Sequence, residues 1–178
     1  MLWKKSFPFS LGDSMKWVNH RIITTSIAFL LTQNIPFVLG AYAGSTLPDR
    51  LEAHKERSNL TYYNHRQVTH WFIPYMIAFT FLAILGFVIN PSSEVSSLFF
   101  KVTLGGLFGC IAHIAEDAVT GTVPGLTLHS RMGKAFFKTG DNKEYAVSAI
   151  CIVLTIITLI TVSYTHLRAH ATPEHLVC

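Results

Sequence analysis

Apolar positions in this chain come in long unbroken runs, not at the spacing of amphipathic helices or strands. Trp71–Ile89 contains no charged residue, Leu98–Ala115 carries only Lys101, and Ala146–Val162 again has none. A bilayer needs about 20 apolar residues in a helix, with a range of roughly 17–25. The three runs therefore predict three membrane spans. A fourth run, Ile22–Leu47, is broken in its middle by Gln33, Asn34 and Pro36. Proline disfavours helix at the residue before it, and polar neighbours favour a turn there. The two pieces, Trp17–Thr32 and Pro36–Ser45, are each short for a span. They predict a helical hairpin that enters the membrane and returns, its turn tolerated at depth because protein buries it. The fold expected is an all-α polytopic membrane bundle, three spans plus a re-entrant N-terminal hairpin. Four full spans are the alternative.

Composition supports the membrane reading. Of 178 residues, 50% are hydrophobic and 13% charged, against about 25% charged in soluble domains. Mean hydropathy is +0.38. Buried helices of a soluble bundle would normally show polar faces, which these runs lack. The start, MLWKKSFPFSLGDS, is polar where the core of a cleavable leader would stand. Cys110 and Cys151 lie in apolar runs, Cys178 is terminal, and no Cys-x-x-Cys occurs, so neither a disulfide framework nor a thiolate metal site is expected.

Net charge is +4. The basic residues are dispersed through loops without interleaved aromatics, which argues against a nucleic-acid partner. They carry topology instead. The hairpin puts the N-terminus, residues 46–70 and residues 120–145 on one side of the membrane. That side holds every Lys and Arg except Lys101 and Arg168. A continuous first span would move Lys4, Lys5, Lys16 and Arg21 across. Basic loops favour the cytoplasm, so the loaded side is expected to be cytoplasmic.

Histidines and acids gather on that same side. His20 is expected to open the first helix, and Asp49 follows the second piece in GSTLPDRLE, where it could also cap a helix. His65 and His70 bracket HRQVTH before the Trp71 run. At the end of the Leu98 run, HIAEDAVT places His113 and Asp117 one helical turn apart, on one side of the helix. Imidazole and carboxylate suit Zn, Fe, Mn or Ni, and carboxylate with water also suits Mg. His20, Asp49, His65, His70, His113 and Asp117 are the candidate metal ligands. Glu116 faces another side of its helix, behind the ligands, and Arg66 fits a clamp on a phosphate or carboxylate. These two are the candidate catalytic residues. Each piece also has a plain structural reading. A His–Asp pair one turn apart can simply hydrogen-bond, His54 fits a solvated loop, and Gly105 and Gly109 fit close helix packing.

The order of these motifs resembles the membrane-bound metal-dependent hydrolases of the YdjM type, bacterial inner-membrane proteins. That family combines a histidine in the first helix with Gly-x-x-x-Pro-Asp, His-Arg-Gly-x-Thr-His, His-x-x-x-Asp-x-x-Thr and Thr-Gly-x-x-x-Glu. Here they stand as His20, Gly44–Asp49, His65–His70, His113–Thr120 and KTGDNKEY, Lys138–Tyr145. The chain departs from the family where Arg50, Leu51 and Glu52 replace a second acid and histidine, and where Gln67 replaces glycine. The resemblance implies a divalent metal, with Zn first and Mn or Mg as alternatives, and hydrolysis of an ester or phosphoester of a small or lipid-like molecule. Arg131 would be a further anion contact. Gly140 and Glu144 match the family and equally fit a turn and a first helical turn.

After Val162 the character changes. SYTHLRAHATPEHLVC resembles sequencing-adaptor DNA translated onto a truncated reading frame, so residues 163–178 are set apart from a single domain at 1–162. Two other functions remain open. One is a non-catalytic scaffold or stress-response protein with a structural polar cluster. The other is a transporter, which the scarcity of mid-bilayer polar residues and of internal repeats disfavours.

Overall fold

The computed structural model describes residues 11–58, 68–89, 91, 93–136 and 141–171. It is mostly helical. The helices are α1 (Leu11–Thr32), α2 (Ile35–Gly44), α3 (Leu47–Ser58), α4 (Phe72–Ile89), α5 (Glu94–Thr120) and α6 (Asn142–Ala171). A 3-10 turn, Val68–His70, precedes α4, and two-residue strands β1 (Val123–Pro124) and β2 (Arg131–Met132) pair antiparallel after α5. Three helical stretches are long and apolar enough to cross a membrane: Phe72–Ile89, Glu94–Thr120 and Asn142–Thr165.

The N-terminal hairpin forms at Gln33 and Asn34. Gln33 takes the left-handed conformation, φ 49°, which reverses the chain. Asn34 then caps α2, its Oδ1 accepting from Phe37 N at 3.1 Å, with Pro36 in the first turn. Within the turn Gln33 is exposed and Asn34 half-buried. The turn's polar groups are met locally. Thr32 Oγ1 donates to Ala28 O at 2.8 Å, and Gln33 N donates to Phe29 O at 2.8 Å. Internal satisfaction of this kind is what lets a turn lie in a bilayer. From His20 to Thr32 the helix rises about 18 Å, short of a 30 Å hydrocarbon core. Helix α1 also begins earlier than its apolar run, at Leu11 rather than near Trp17. Hydropathy marks the lipid-facing part of a helix, not its start, so His20 lies within α1 and does not open it.

Helix α2 packs on α5 backbone to backbone. A Cβ on Gly40 would lie 2.0 Å from Val102 O, and one on Gly44 would lie 2.0 Å from Gly106 O. From the other side, a Cβ on Gly105 would lie 2.0 Å from Phe37 O, and one on Gly109 2.4 Å from Ala41 O. Only glycine permits this approach. Ala28, Val38 and Ala41 form the core of the contact, with Phe29, Phe37 and Phe108 around them. Helix α6 packs chiefly on α1 and α4 on α5. The polar ends of α1, α5 and α6 meet at one face with α3 and the 3-10 turn.

Candidate metal centre

Three segments deliver the cluster. Helix α5 ends with His113 and Asp117 one turn apart. Helix α2, locked to α5 through its glycines, passes directly into α3, whose first turn holds Asp49. Asp49 therefore stands inside the helix with its side chain turned to the histidines, and does not cap it. His70 ends the 3-10 turn. That turn is fixed by Tyr75 OH donating to Thr69 O at 3.0 Å and by Trp71 Nε1 donating to Gly125 O at 3.1 Å in the loop after β1.

The donor atoms converge. His70 Nε2 lies 3.1 Å from Asp49 Oδ1 and 3.2 Å from Asp117 Oδ2. His113 Nε2 lies 3.4 Å from Asp49 Oδ1 and 3.5 Å from Asp117 Oδ2, and the two Nε2 atoms are 3.4 Å apart. One ligand atom from each of Asp49, His70, His113 and Asp117 fits within 4.8 Å of all the others. Donors at 2.0–2.1 Å from a tetrahedral zinc ion are about 3.3–3.4 Å from one another, so the His–His and His–carboxylate spacings fit such an ion. The chemistry fits as well, since two carboxylates balance a dication and two imidazoles complete a borderline set. Both histidines are fully buried and Asp117 is 2% exposed.

Around this set the partners are directional. Thr69 Oγ1 lies 3.1 Å from His70 Nδ1 and Glu52 Oε2 lies 3.7 Å from it. They hold the ring so that Nε2 points inward, the usual role of an outer partner to a ligating histidine. Burial alone would lower the His70 pKa. Hydrogen bonds and charge from Asp117 and Asp49 outweigh it and raise His70 to about 9. Burial would likewise raise Asp49, but His113 and His70 hold it well below the usual carboxylate range.

His20 sits beside the four. Its Nε2 is 3.7 Å from Asp117 Oδ1, its Nδ1 is 2.6 Å from Glu116 Oε2, and its ring packs 4.3 Å from that of His113. Glu116 faces α1, where Thr24 Oγ1 donates to it at 2.8 Å. Thus the structure gathers Asp49, His70, His113 and Asp117 at one point, with His20 adjoining through Asp117 and Glu116 adjoining through His20. His65, Arg66 and Gly140 lie outside the described residues. Arg131 is exposed on β2.

A family model described as YdjM inner membrane protein matches residues 15–167. The chain belongs to this family. No curated protein and no solved structure matches it. The matched region contains α2 to α5 entire, most of α1 and α6, and all four converging residues. It ends inside α6, which runs on past residue 162 to Ala171.

Three features escaped sequence reasoning. Glu52, three residues after Asp49 on α3, stands behind His70; the one-turn spacing from Asp49 was the available signal. Gly40 and Gly44 repeat the spacing of Gly105 and Gly109 and are their packing partners. Asn19 Nδ2 donates to Glu144 Oε1 at 2.7 Å, and Ser148 Oγ donates to Asn19 Oδ1 at 3.2 Å, joining α1 to α6 in a buried network. Glu144 does occupy the first turn of α6, but its side chain ties helices together.

Proposed function

We propose that this inner-membrane family member is a metal-dependent hydrolase that cleaves an ester or phosphoester bond in a small or lipid-like substrate. The observation that supports this is the buried convergence of Asp49, His70, His113 and Asp117 at donor spacings that suit a divalent cation. Zn is the proposed ion, with Mn or Mg as alternatives. A cation held there supplies Lewis acidity and an activated water. The protein's own groups do the rest. Glu52 and Thr69 orient His70, and His20 Nε2 orients Asp117 through Oδ1. Glu116 Oε2, sharing a proton with His20 Nδ1, is the proposed proton acceptor beside the site. Arg66, five residues before Trp71 in the chain, is the proposed clamp on negative charge that develops in the substrate. His65, its neighbour in the sequence, is a proposed additional ligand.

The site is proposed to face the cytoplasm. The basic loops on its side of the membrane support that orientation.

The test uses purified protein in nanodiscs. Metal content is measured with hydrolysis of p-nitrophenyl esters and bis-p-nitrophenyl phosphate, before and after chelation. Wild type should hold one ion per chain and lose turnover with the chelator. Asp49→Ala combined with His113→Ala should lack both. Equally low occupancy in the two proteins would refute the proposal.

A further inference from the structure

The chain leaves α5 through a ribbon that is apolar and basic but not acidic. Residues 121–136 hold Leu126, Leu128, Met132 and Phe136 together with Arg131 and Lys134, and no Asp or Glu occurs between Asp117 and Asp141. The base of the ribbon is buried. Val123 and Pro124 are enclosed, and Trp71 Nε1 donates to Gly125 O, which ties the ribbon to the turn that carries His70. Beyond Gly125 the apolar side chains are uncovered. Leu126 is 77% exposed and Phe136 68%, and Leu128 and Met132 are exposed as well.

The level of the ribbon is fixed by α5. Lys134 N donates to Ala118 O at 2.9 Å and Phe136 N to Val119 O at 3.0 Å, so the segment leaving β2 lies against the last turn of that helix. Gly133 permits the approach. Its φ is +104°, and a Cβ there would lie 2.6 Å from both Ala118 O and Gly121 O. Helix α5 has 27 residues and is apolar enough to cross a membrane, a length of about 40 Å. A bilayer is about 40–45 Å thick with its headgroups, so such a helix ends among them. Lys134 and Phe136, bonded to its last turn, are held at that level. At the tip, Gly125 N donates to Ser130 O at 2.9 Å and Ser130 N to Thr127 O at 3.2 Å, which keeps the ribbon tight.

Leucine and phenylalanine uncovered by protein at this level gain by entering the boundary between headgroups and acyl chains. Lys and Arg at the same level reach lipid phosphates and favour an anionic leaflet. We propose that the ribbon is a lipid-binding element that lays Leu126, Leu128 and Phe136 on the acyl boundary and gathers anionic phospholipid with Arg131 and Lys134. Through Trp71 and Gly125 that lipid stands beside the turn that carries His70. Lipid binding here requires neither metal nor turnover.

The test places photoreactive benzoylphenylalanine at Leu126 or at Phe136 of the full-length protein, in nanodiscs of equimolar phosphatidylglycerol and phosphatidylcholine, with adducts identified by mass spectrometry. The same probe at Ile84, 59% exposed on the membrane-crossing α4, is the reference for lipid contact. Both ribbon positions should give lipid adducts, with phosphatidylglycerol favoured by at least about threefold. Arg131→Gln combined with Lys134→Gln, both at exposed side chains, should bring that ratio close to one while total adduct at position 126 persists. Raising salt to about 0.5 M should narrow it too. Lipid adducts at Ile84 with none at either ribbon position would overturn the proposal, as would adducts to a second copy of the chain in place of lipid. Equal labelling by the two lipids without the substitutions would overturn the assignment of anionic lipid.

Discussion

Gly105 and Gly106 are neighbours on α5, yet alanine should have opposite effects at the two positions. A Cβ on Gly105 would lie 2.0 Å from Phe37 O, 2.8 Å from Phe37 C and 3.0 Å from Phe37 Cα. Every obstacle is backbone, so no side chain can rotate aside. Restoring an ordinary contact of about 3.5 Å requires α2 to withdraw by roughly 1.5 Å. Overpacking of this kind costs about 1–3 kcal/mol. The displacement also reaches the metal centre, because α2 leads directly into α3, which carries Asp49, and α5 carries His113 and Asp117. Metal sites tolerate changes of only about 0.2 Å in ligand distance. On Gly106 the added Cβ would meet nothing nearer than Gly40 O at 3.8 Å. There alanine should be neutral or stabilise by up to about 1 kcal/mol through lost chain entropy in the unfolded state. Unfolding in detergent, with a competitive zinc titration, measures both effects. Gly105→Ala should lose stability and zinc affinity together, while Gly106→Ala retains both. Equal behaviour of the two variants would refute the backbone-contact account.

Two further perturbations follow from single residues. In the ion-free protein His70 is held at about 9, above its ordinary 6.5. Its ion pairs therefore contribute stability in full below about pH 6.5, and that contribution is lost as pH rises through 9. A bound cation must displace the same proton, so zinc affinity should rise about tenfold per pH unit from 7 toward 9; an affinity constant over that range in a pH-stepped titration would contradict it. At the hairpin tip, Asn34→Ala removes the acceptor for Phe37 N and should cost about 1 kcal/mol in a detergent unfolding assay, whereas no change would show that the cap does not hold the turn.

Hydropathy alone located the three spans, because lipid-facing helices need continuous apolar sequence. Local chemistry located the hairpin, since Gln33, Asn34 and Pro36 together favour reversal. The pairing of His113 with Asp117 followed from helical periodicity. Other parts depended on long-range geometry. Two glycine pairs share a spacing, but nothing local says that they face each other. Asn19 lies more than a hundred positions from Glu144 and Ser148, the two residues it meets. Glu52 looked like a departure from the family pattern and instead supports His70 from behind. The ribbon after α5 was also illegible, because strands of two residues have no periodicity to detect. Its backbone closes the helix end, with Lys134 N donating to Ala118 O at 2.9 Å and Phe136 N to Val119 O at 3.0 Å.

Zinc X-ray absorption on the loaded protein tests the convergence of the four side chains most directly. The account predicts one ion per chain with a first shell of about four nitrogen and oxygen atoms near 2.0–2.1 Å, imidazole scattering beyond it and no sulfur. His70→Ala and His113→Ala should each weaken that imidazole signal. A wild-type protein that takes up no ion, or a shell unchanged in both variants, would mean that the cluster ties helices together and holds no metal.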